Sequence, residues 1–257
     1  MVAQKCLDIA AIGEEYKSGL STPALAAKYG VSEVTIRNYL KRLGIDRLGK
    51  DEAARKYSAN HEFFSLIDTP AKAYWLGFIV TDGTVTGNEL AIALKPSDAN
   101  HLEKFKKDIG SSHPVKIYQR HNTVRFTIKS TRIAKDLAAL GVEANKTFSV
   151  TVPQIEKSLL PHFWRGVLDG DGSLYVYPDG KLSSLRLYGN EKIAHGFALW
   201  VSEFSGKVRQ PSPHKSIYEV SYVGTRQVKV ILNQLGYSSE NICLDRKKAK
   251  AIQILGI

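Results

Sequence analysis

A nine-residue segment that recurs in altered form constrains this chain more than any other feature. Trp75-Leu-Gly77-Phe-Ile-Val-Thr-Asp82-Gly83 returns as Trp164-Arg-Gly166-Val-Leu-Asp-Gly-Asp171-Gly172, with the Trp, the first Gly, the Asp and the last Gly all displaced by 89 positions. The likeness continues downstream. Thr131-Arg132-x-x-Lys135 followed by Leu140-Gly141 matches Thr225-Arg226-x-x-Lys229 followed by Leu235-Gly236, with one inserted residue. Two halves of about 90 residues are therefore copies of one supersecondary plan.

Within each half the hydrophobic period alternates between helix and strand. Tyr74 to Thr81 reads as an apolar helix, residues 84 to 95 as a hairpin, and Leu102, Phe105 and Ile109 mark a helix at spacings of three and four. A second hairpin follows, in which Val124, Phe126 and Ile128 face one way and Arg125, Thr127 and Lys129 the other, as do Lys116, Tyr118 and Arg120 on the preceding strand. Ile133, Leu137 and Leu140 give a closing helix. The second half repeats the order. Leu185 and Leu187 oppose Arg186 and Tyr188, then come a helix through Ile193, Phe197, Trp200 and Phe204, a hairpin from Lys207 to Tyr222, and a helix through Val228, Ile231 and Leu235. The expected class is α+β, a pseudo-twofold αββαββα duplication. Its two antiparallel sheets would carry helices on one face and open Arg, Lys and Tyr side chains on the other, a surface suited to nucleic acid.

Gly77 and Gly166 each stand five positions before the repeated Asp, where a missing side chain permits close backbone contact between the duplicated helices. Packing about a pseudo-twofold axis would bring Asp82 and Asp171 side by side at the C-terminal tips, with Gly83 and Gly172 turning the chain into the first strand of each sheet. Like-charge repulsion and the negative helix ends both oppose ionisation there. A divalent cation supplies the missing charge. Oxygen ligands completed by water and phosphate suit Mg²⁺ and do not suit zinc. The seven histidines show no metal-ligand spacing.

Residues 8 to 44 read as three short helices. Ile9, Ile12 and Tyr16 mark the first; Thr22-Pro23 supplies an N-cap and a helical Pro for the second; Gly30-Val31-Ser32 turns the chain into a third, with Val34, Ile36 and Leu40 as its buried side. Ala26 four before Gly30 and Ile36 six after it give the helix-turn-helix pattern. Glu33, Thr35, Arg37, Asn38 and Lys41 would then lie on the exposed side of a DNA-recognition helix. The polar stretch Asp46 to Asn60 follows as a linker.

The charge balance agrees with a polyanionic partner: 36 Lys and Arg against 25 Asp and Glu leave a net +11. No apolar run approaches the roughly 18 residues of a membrane span, and Met1 to Leu20 carries Asp8, Glu14 and Glu15 with no apolar signal region. A cytoplasmic, nucleoid-associated location and no membrane partner are expected. Cys6 and Cys243 alone cannot build a disulfide framework or a zinc ribbon.

Both nonapeptides resemble that of the LAGLIDADG homing endonucleases. The resemblance extends over about residues 61 to 257 and includes the approach Gly141-Val-Glu-Ala-Asn-Lys146-Thr147, Pro153 and Phe163-Trp-Arg-Gly166. Two copies in one chain are similar to the monomeric, pseudo-symmetric members. The resemblance implies two saddle-shaped sheets and Mg²⁺-dependent hydrolysis of both strands of a long double-stranded DNA target, leaving 3′ overhangs. Asp82 and Asp171 would be metal ligands, and a basic strand residue would stand beside the metals. Lys129 is the candidate, with Lys95 or Arg186 as substitutes because the duplicate strand has Val223. Val80 stands where the second copy has Asp169, a position that is not the principal metal ligand. The DNA-contacting set is Thr35, Arg37, Asn38, Lys41, Lys116, Tyr118, Arg120, Arg125, Thr127, Arg186 and Tyr188. Expected domains are residues 1–48 (helix-turn-helix), 49–60 (linker), 61–152 (first half) and 153–257 (second half). The competing readings are a non-catalytic DNA-binding transcription regulator on the same scaffold and an RNA maturase.

Overall fold

The computed structural model describes residues 8–17, 20–45, 57–143, 150–178 and 180–257. The chain divides into two compact units, Met1–Tyr57 and Ser58–Ile257. Most of the expected linker, residues 46–56, lies outside the described residues, as do Cys6 and residues 144–149.

The first unit contains helices α1 (Ile9–Lys17), α2 (Thr22–Tyr29) and α3 (Glu33–Arg42) around a core of Ile12, Tyr16, Leu25, Ala26, Ile36 and Leu40. The α2 cap is Ser21, one residue before the expected Thr22; its side chain accepts from the Ala24 N–H, and Pro23 sits within the first turn, where no intrahelical donor is needed. Gly30 ends α2 at φ 66°, in the left-handed region, and its N–H returns to the Ala26 carbonyl. Ser32 caps α3 by accepting from the Thr35 N–H. Val34 is 60% exposed and is not part of the buried side. Two positions from Ile36 on a period of 3.6, it falls on the opposite side of the helix.

The second unit holds both halves. Helix α4 (Pro70–Asp82) runs into strands β1 (Gly83–Thr86) and β2 (Glu89–Leu94), then α5 (Ala99–Asp108), β3 (Lys116–Tyr118), β4 (Thr123–Lys129) and α6 (Thr131–Ala139). The copy follows as α7 (Leu160–Asp171), β5 (Gly172–Val176), β6 (Ser183–Gly189), α8 (Glu191–Ser205), β7 (Ser212–His214), β8 (Ile217–Val223) and α9 (Thr225–Gln234). Each half forms one four-stranded antiparallel sheet, in orders β1-β2-β4-β3 and β5-β6-β8-β7. The duplicated αββαββα architecture is therefore present. Alternation places Val124, Phe126 and Ile128 inward in one sheet and Leu185 and Leu187 inward in the other, within one apolar core that spans both halves. Arg120, expected on a strand, sits instead in the short 3₁₀ turn Gln119–His121, which Asn122 closes at φ 47°. A further helix, α10 (Asp245–Leu255), follows the second half and buries Lys247, Ala251, Ile254 and Leu255. No helix among the described residues is long and apolar enough to cross a membrane.

Candidate functional site

Helices α4 and α7 meet backbone to backbone. A Cβ on Gly77 would stand 2.0 Å from the Phe163 carbonyl oxygen, and one on Gly166 would stand 2.1 Å from that of Tyr74. Only glycine permits this approach. It brings the helix tips together: Asp82 and Asp171 are the last residues of α4 and α7, and a Cβ on Gly170 would lie 3.0 Å from Oδ2 of Asp82. The Asp82 carboxylate thus rests against the final turn of α7, one residue from Asp171. Asp82 is half-buried and Asp171 exposed. A cleft of ≈ 440 Å³ opens beside Asp171, with Thr81, Tyr188, Asn190, His214 and Lys215 in its wall.

Behind the tips lies a buried ionic layer. Asp169 is fully buried, and its oxygens accept from Tyr74 (2.7 Å), Tyr237 (2.5 Å) and the Leu244 N–H (2.7 Å). Burial pushes its carboxyl up, while Tyr237, the Leu244 amide and Tyr74 pull it down. The single Tyr74 proton goes to Asp169, so His101, 2.9 Å from the Tyr74 oxygen, donates to it through Nε2. Burial lowers the His101 pKa to about 3. One turn before Asp169, buried Arg165 donates to the carbonyls of Ile242 (2.8 Å) and Leu235 (2.7 Å) and lies over the Tyr74 ring. Arg165 and Asp169 together clamp the segment that leads into α10.

That clamp delivers a cation to the end of α7, next to Asp171. Lys247 of α10 is buried, and its ammonium donates to the carbonyls of Leu168 (3.0 Å) and Gly172, at the end of α7. Burial and the neighbouring Arg246 pull its pKa down to about 8 against the opposing attraction of Asp169, Asp82 and Asp171. Neither Lys247 nor α10 is anticipated by the sequence reading, which ends its last helix at Leu235. The available signal is Asp245 in a first helical turn, followed by Ala251, Ile254 and Leu255 on one face.

Strand register places the other expected residues. Gly83 pairs with Ile92 and Ile92 with Phe126; one row nearer Asp82, Ala93 pairs with Arg125 and Arg125 with Lys116. Lys129 pairs with Glu89, opposite Thr86, three rows beyond Gly83 and so about 10 Å farther along the strands. Two basic residues, Arg125 and Lys116, therefore share the strand row of Asp82, whereas Lys129 lies in the row of Glu89, toward which the Arg125 guanidinium reaches. Thr127 and Tyr118 share the outward face with them, half-buried and exposed respectively. In the second sheet Arg186 pairs with Ser173 and Tyr188 with Glu219. Each outward face also carries a glutamate absent from the expected basic surface: Arg125 bonds Glu89 at 2.9 Å and Arg186 lies 3.8 Å from Glu219. In the first unit Arg37, Asn38 and Lys41 are exposed on α3 and Thr35 is half-buried; Arg37 pairs with Glu33 at 2.8 Å.

No family model matches the chain, and no curated protein matches it. Among solved structures it is similar to the LAGLIDADG meganuclease I-AabMI bound to uncleaved DNA, at 13% identity and a TM-score of 0.48 over 74% of this chain and 91% of that one. It is also similar to the I-LtrWI LAGLIDADG homing endonuclease bound to target DNA, at 13% identity and a TM-score of 0.46 over 76% and 90%. The N-terminal LAGLIDADG domain of DUF199/WhiA is similar at 16% identity and a TM-score of 0.46 over 69% and 89%.

Proposed function

We propose that this chain is an Mg²⁺-dependent endonuclease that cuts both strands of a double-stranded DNA site, acting as a monomer with Asp82 and Asp171 as its shared carboxylates. The observation that carries the reading is the meeting of two duplicated aspartates at helix tips held together by Gly77 and Gly166. The donor chemistry supports it: two carboxylates offer only oxygen ligands, which suit Mg²⁺ with water and phosphate in its other positions. An Mg²⁺ ion held there would activate water and neutralise charge on the phosphate.

The chain's own residues bind and orient the duplex. Lys116 and Arg125 stand in the strand row of Asp82, Arg186 and Tyr188 serve the second sheet, and Tyr118, Arg120, Thr127 and Lys129 extend the first surface along phosphates and base edges. Helix α3 reads a major groove through Thr35, Arg37, Asn38 and Lys41. A second reading, DNA binding without cleavage, is favoured by one observation: the Lys247 ammonium already bonds the Gly172 carbonyl, one residue past Asp171. Incubation with a randomised duplex library separates the two. Cleavage at one family of sites with Mg²⁺, and bound but uncut DNA with Ca²⁺, supports the nuclease; a defined footprint that stays intact with Mg²⁺ supports the regulator.

A further inference from the structure

Lys247 is the one buried lysine among the described residues, at 5% exposure. An unpaired ammonium cannot be buried without a large penalty, so its surroundings must compensate it. They do so in part, from two elements. From α7 come the Leu168 carbonyl, the Gly172 carbonyl just past the helix end, Asp169 and Asp171, and from α4 comes Asp82; on α10 itself the neighbouring cation Arg246, which bonds Asp98 at 3.0 Å, opposes the ammonium. The carbonyls at the end of α7 carry the negative pole of that helix, which adds to the field of the carboxylates. The ammonium is also fixed in place. The Leu244 N–H anchors the start of α10 on Asp169, and Lys229 of α9 bonds the Leu255 carbonyl at its far end at 2.9 Å.

We propose that Lys247 is a built-in counter-cation: it holds Asp82 and Asp171 together before a divalent ion arrives, and it opposes that ion electrostatically once it binds. The role is one of positioning, and it rests on the reading of Asp82 and Asp171 as the metal site. Its consequence is a trade. The two helix tips stay assembled without metal, and the metal is held more weakly than two adjacent carboxylates would otherwise hold it. Packing alone would give neither effect.

The test needs no DNA. Thermal unfolding of the full chain is followed in EDTA and in Ca²⁺, and Ca²⁺ binding is titrated by calorimetry, for wild type, Lys247→Gln and Lys247→Arg. Glutamine can still donate to the Leu168 and Gly172 carbonyls but carries no charge. Expected for Lys247→Gln is a midpoint about 5 °C lower in EDTA, largely recovered by Ca²⁺, together with Ca²⁺ binding tighter by about tenfold. Lys247→Arg should follow wild type in both. Equal loss of midpoint with and without Ca²⁺, at unchanged Ca²⁺ affinity, would overturn the proposal. Should Lys247→Gln not fold, the pair Asp82→Asn with Asp171→Asn approaches the coupling from the other side: a lower midpoint in EDTA supports it and a higher one overturns it. Absence of Ca²⁺ binding by wild type and Lys247→Gln alike would overturn the metal reading instead, while the EDTA midpoints still decide whether ammonium and carboxylates are coupled.

Discussion

Helices α4 and α7 descend from one segment, yet α4 is buried on all sides from Ala73 to Val80 with apolar residues, whereas α7 buries Arg165 and Asp169 at the positions of Leu76 and Val80. What the copies share is what the axis needs: the glycine of closest approach, the terminal Asp and the glycine that starts a strand. Where they differ, one copy has acquired a second task. Arg165 and Asp169 hold the segment from Leu235 to Leu244 and thereby α10, which no apolar helix face could orient so specifically. Even the axis is uneven. Thr81 of the first copy fills the space that Gly170 leaves in the second, for a Cβ there would stand 1.9 Å from the Thr81 hydroxyl oxygen.

The shared part should be the most sensitive. Gly77→Ala forces a methyl into the Phe163 backbone, and separation of the two helices should cost at least about 4 kcal/mol in chemical denaturation. A loss under 1 kcal/mol would mean that the helices are not in backbone contact. The unequal part should not be exchangeable. Asp169→Leu leaves Tyr74, Tyr237 and the Leu244 amide without an acceptor, a loss of about 3 kcal/mol, and Val80→Asp buries a carboxylate without those partners at a similar cost. Tolerance of Val80→Asp would show that the halves are more alike than this account holds.

The His101 branch of the same layer makes stability depend on pH. Its folded pKa lies near 3 against 6.5 unfolded, so the unfolded chain binds the proton first; stability is complete above about pH 6.5 and is lost as pH falls toward 3. Between pH 6.5 and 4 the loss should reach on the order of 3 kcal/mol, and His101→Gln should flatten that part of the profile. An unchanged acid profile in the variant would contradict the assignment. The smallest effect belongs to the sheet faces. Arg125→Ala or Arg186→Ala breaks a partly exposed pair with Glu89 or Glu219 and should change stability by less than about 1 kcal/mol. In binding assays each substitution should reduce the magnitude of the log K against log [salt] slope by about 0.9 if its guanidinium neutralises a phosphate.

Much of this fold is legible in the sequence because each half is written in local periods: spacings of three and four for the helices, strict alternation around Phe126 and Leu187. The 89-residue displacement made the duplicated helices visible without any long-range information. What local pattern does not carry is the row of a strand residue and the identity of a distant partner. Alternation puts Lys129 on the outward face, but only pairing with Glu89 reveals that it lies at the far end from Asp82. Asp169 reads only as an acidic position that is not the principal metal ligand until Tyr74, Tyr237 and Leu244 arrive from three separate segments. Lys247 stands in the run Asp-Arg-Lys-Lys without any local sign of its burial, since nothing within a turn of it predicts a carbonyl cage.

The central claim is that the two inherited aspartates form one site serving two strands, and single substitutions on a DNA substrate labelled on each strand measure it most directly. Asp82→Asn and Asp171→Asn should each abolish double-strand cleavage in Mg²⁺ while leaving DNA affinity within a few-fold of wild type, because each removes half of a shared ligand set and no DNA-reading side chain. Full double-strand cleavage by either variant would contradict the claim.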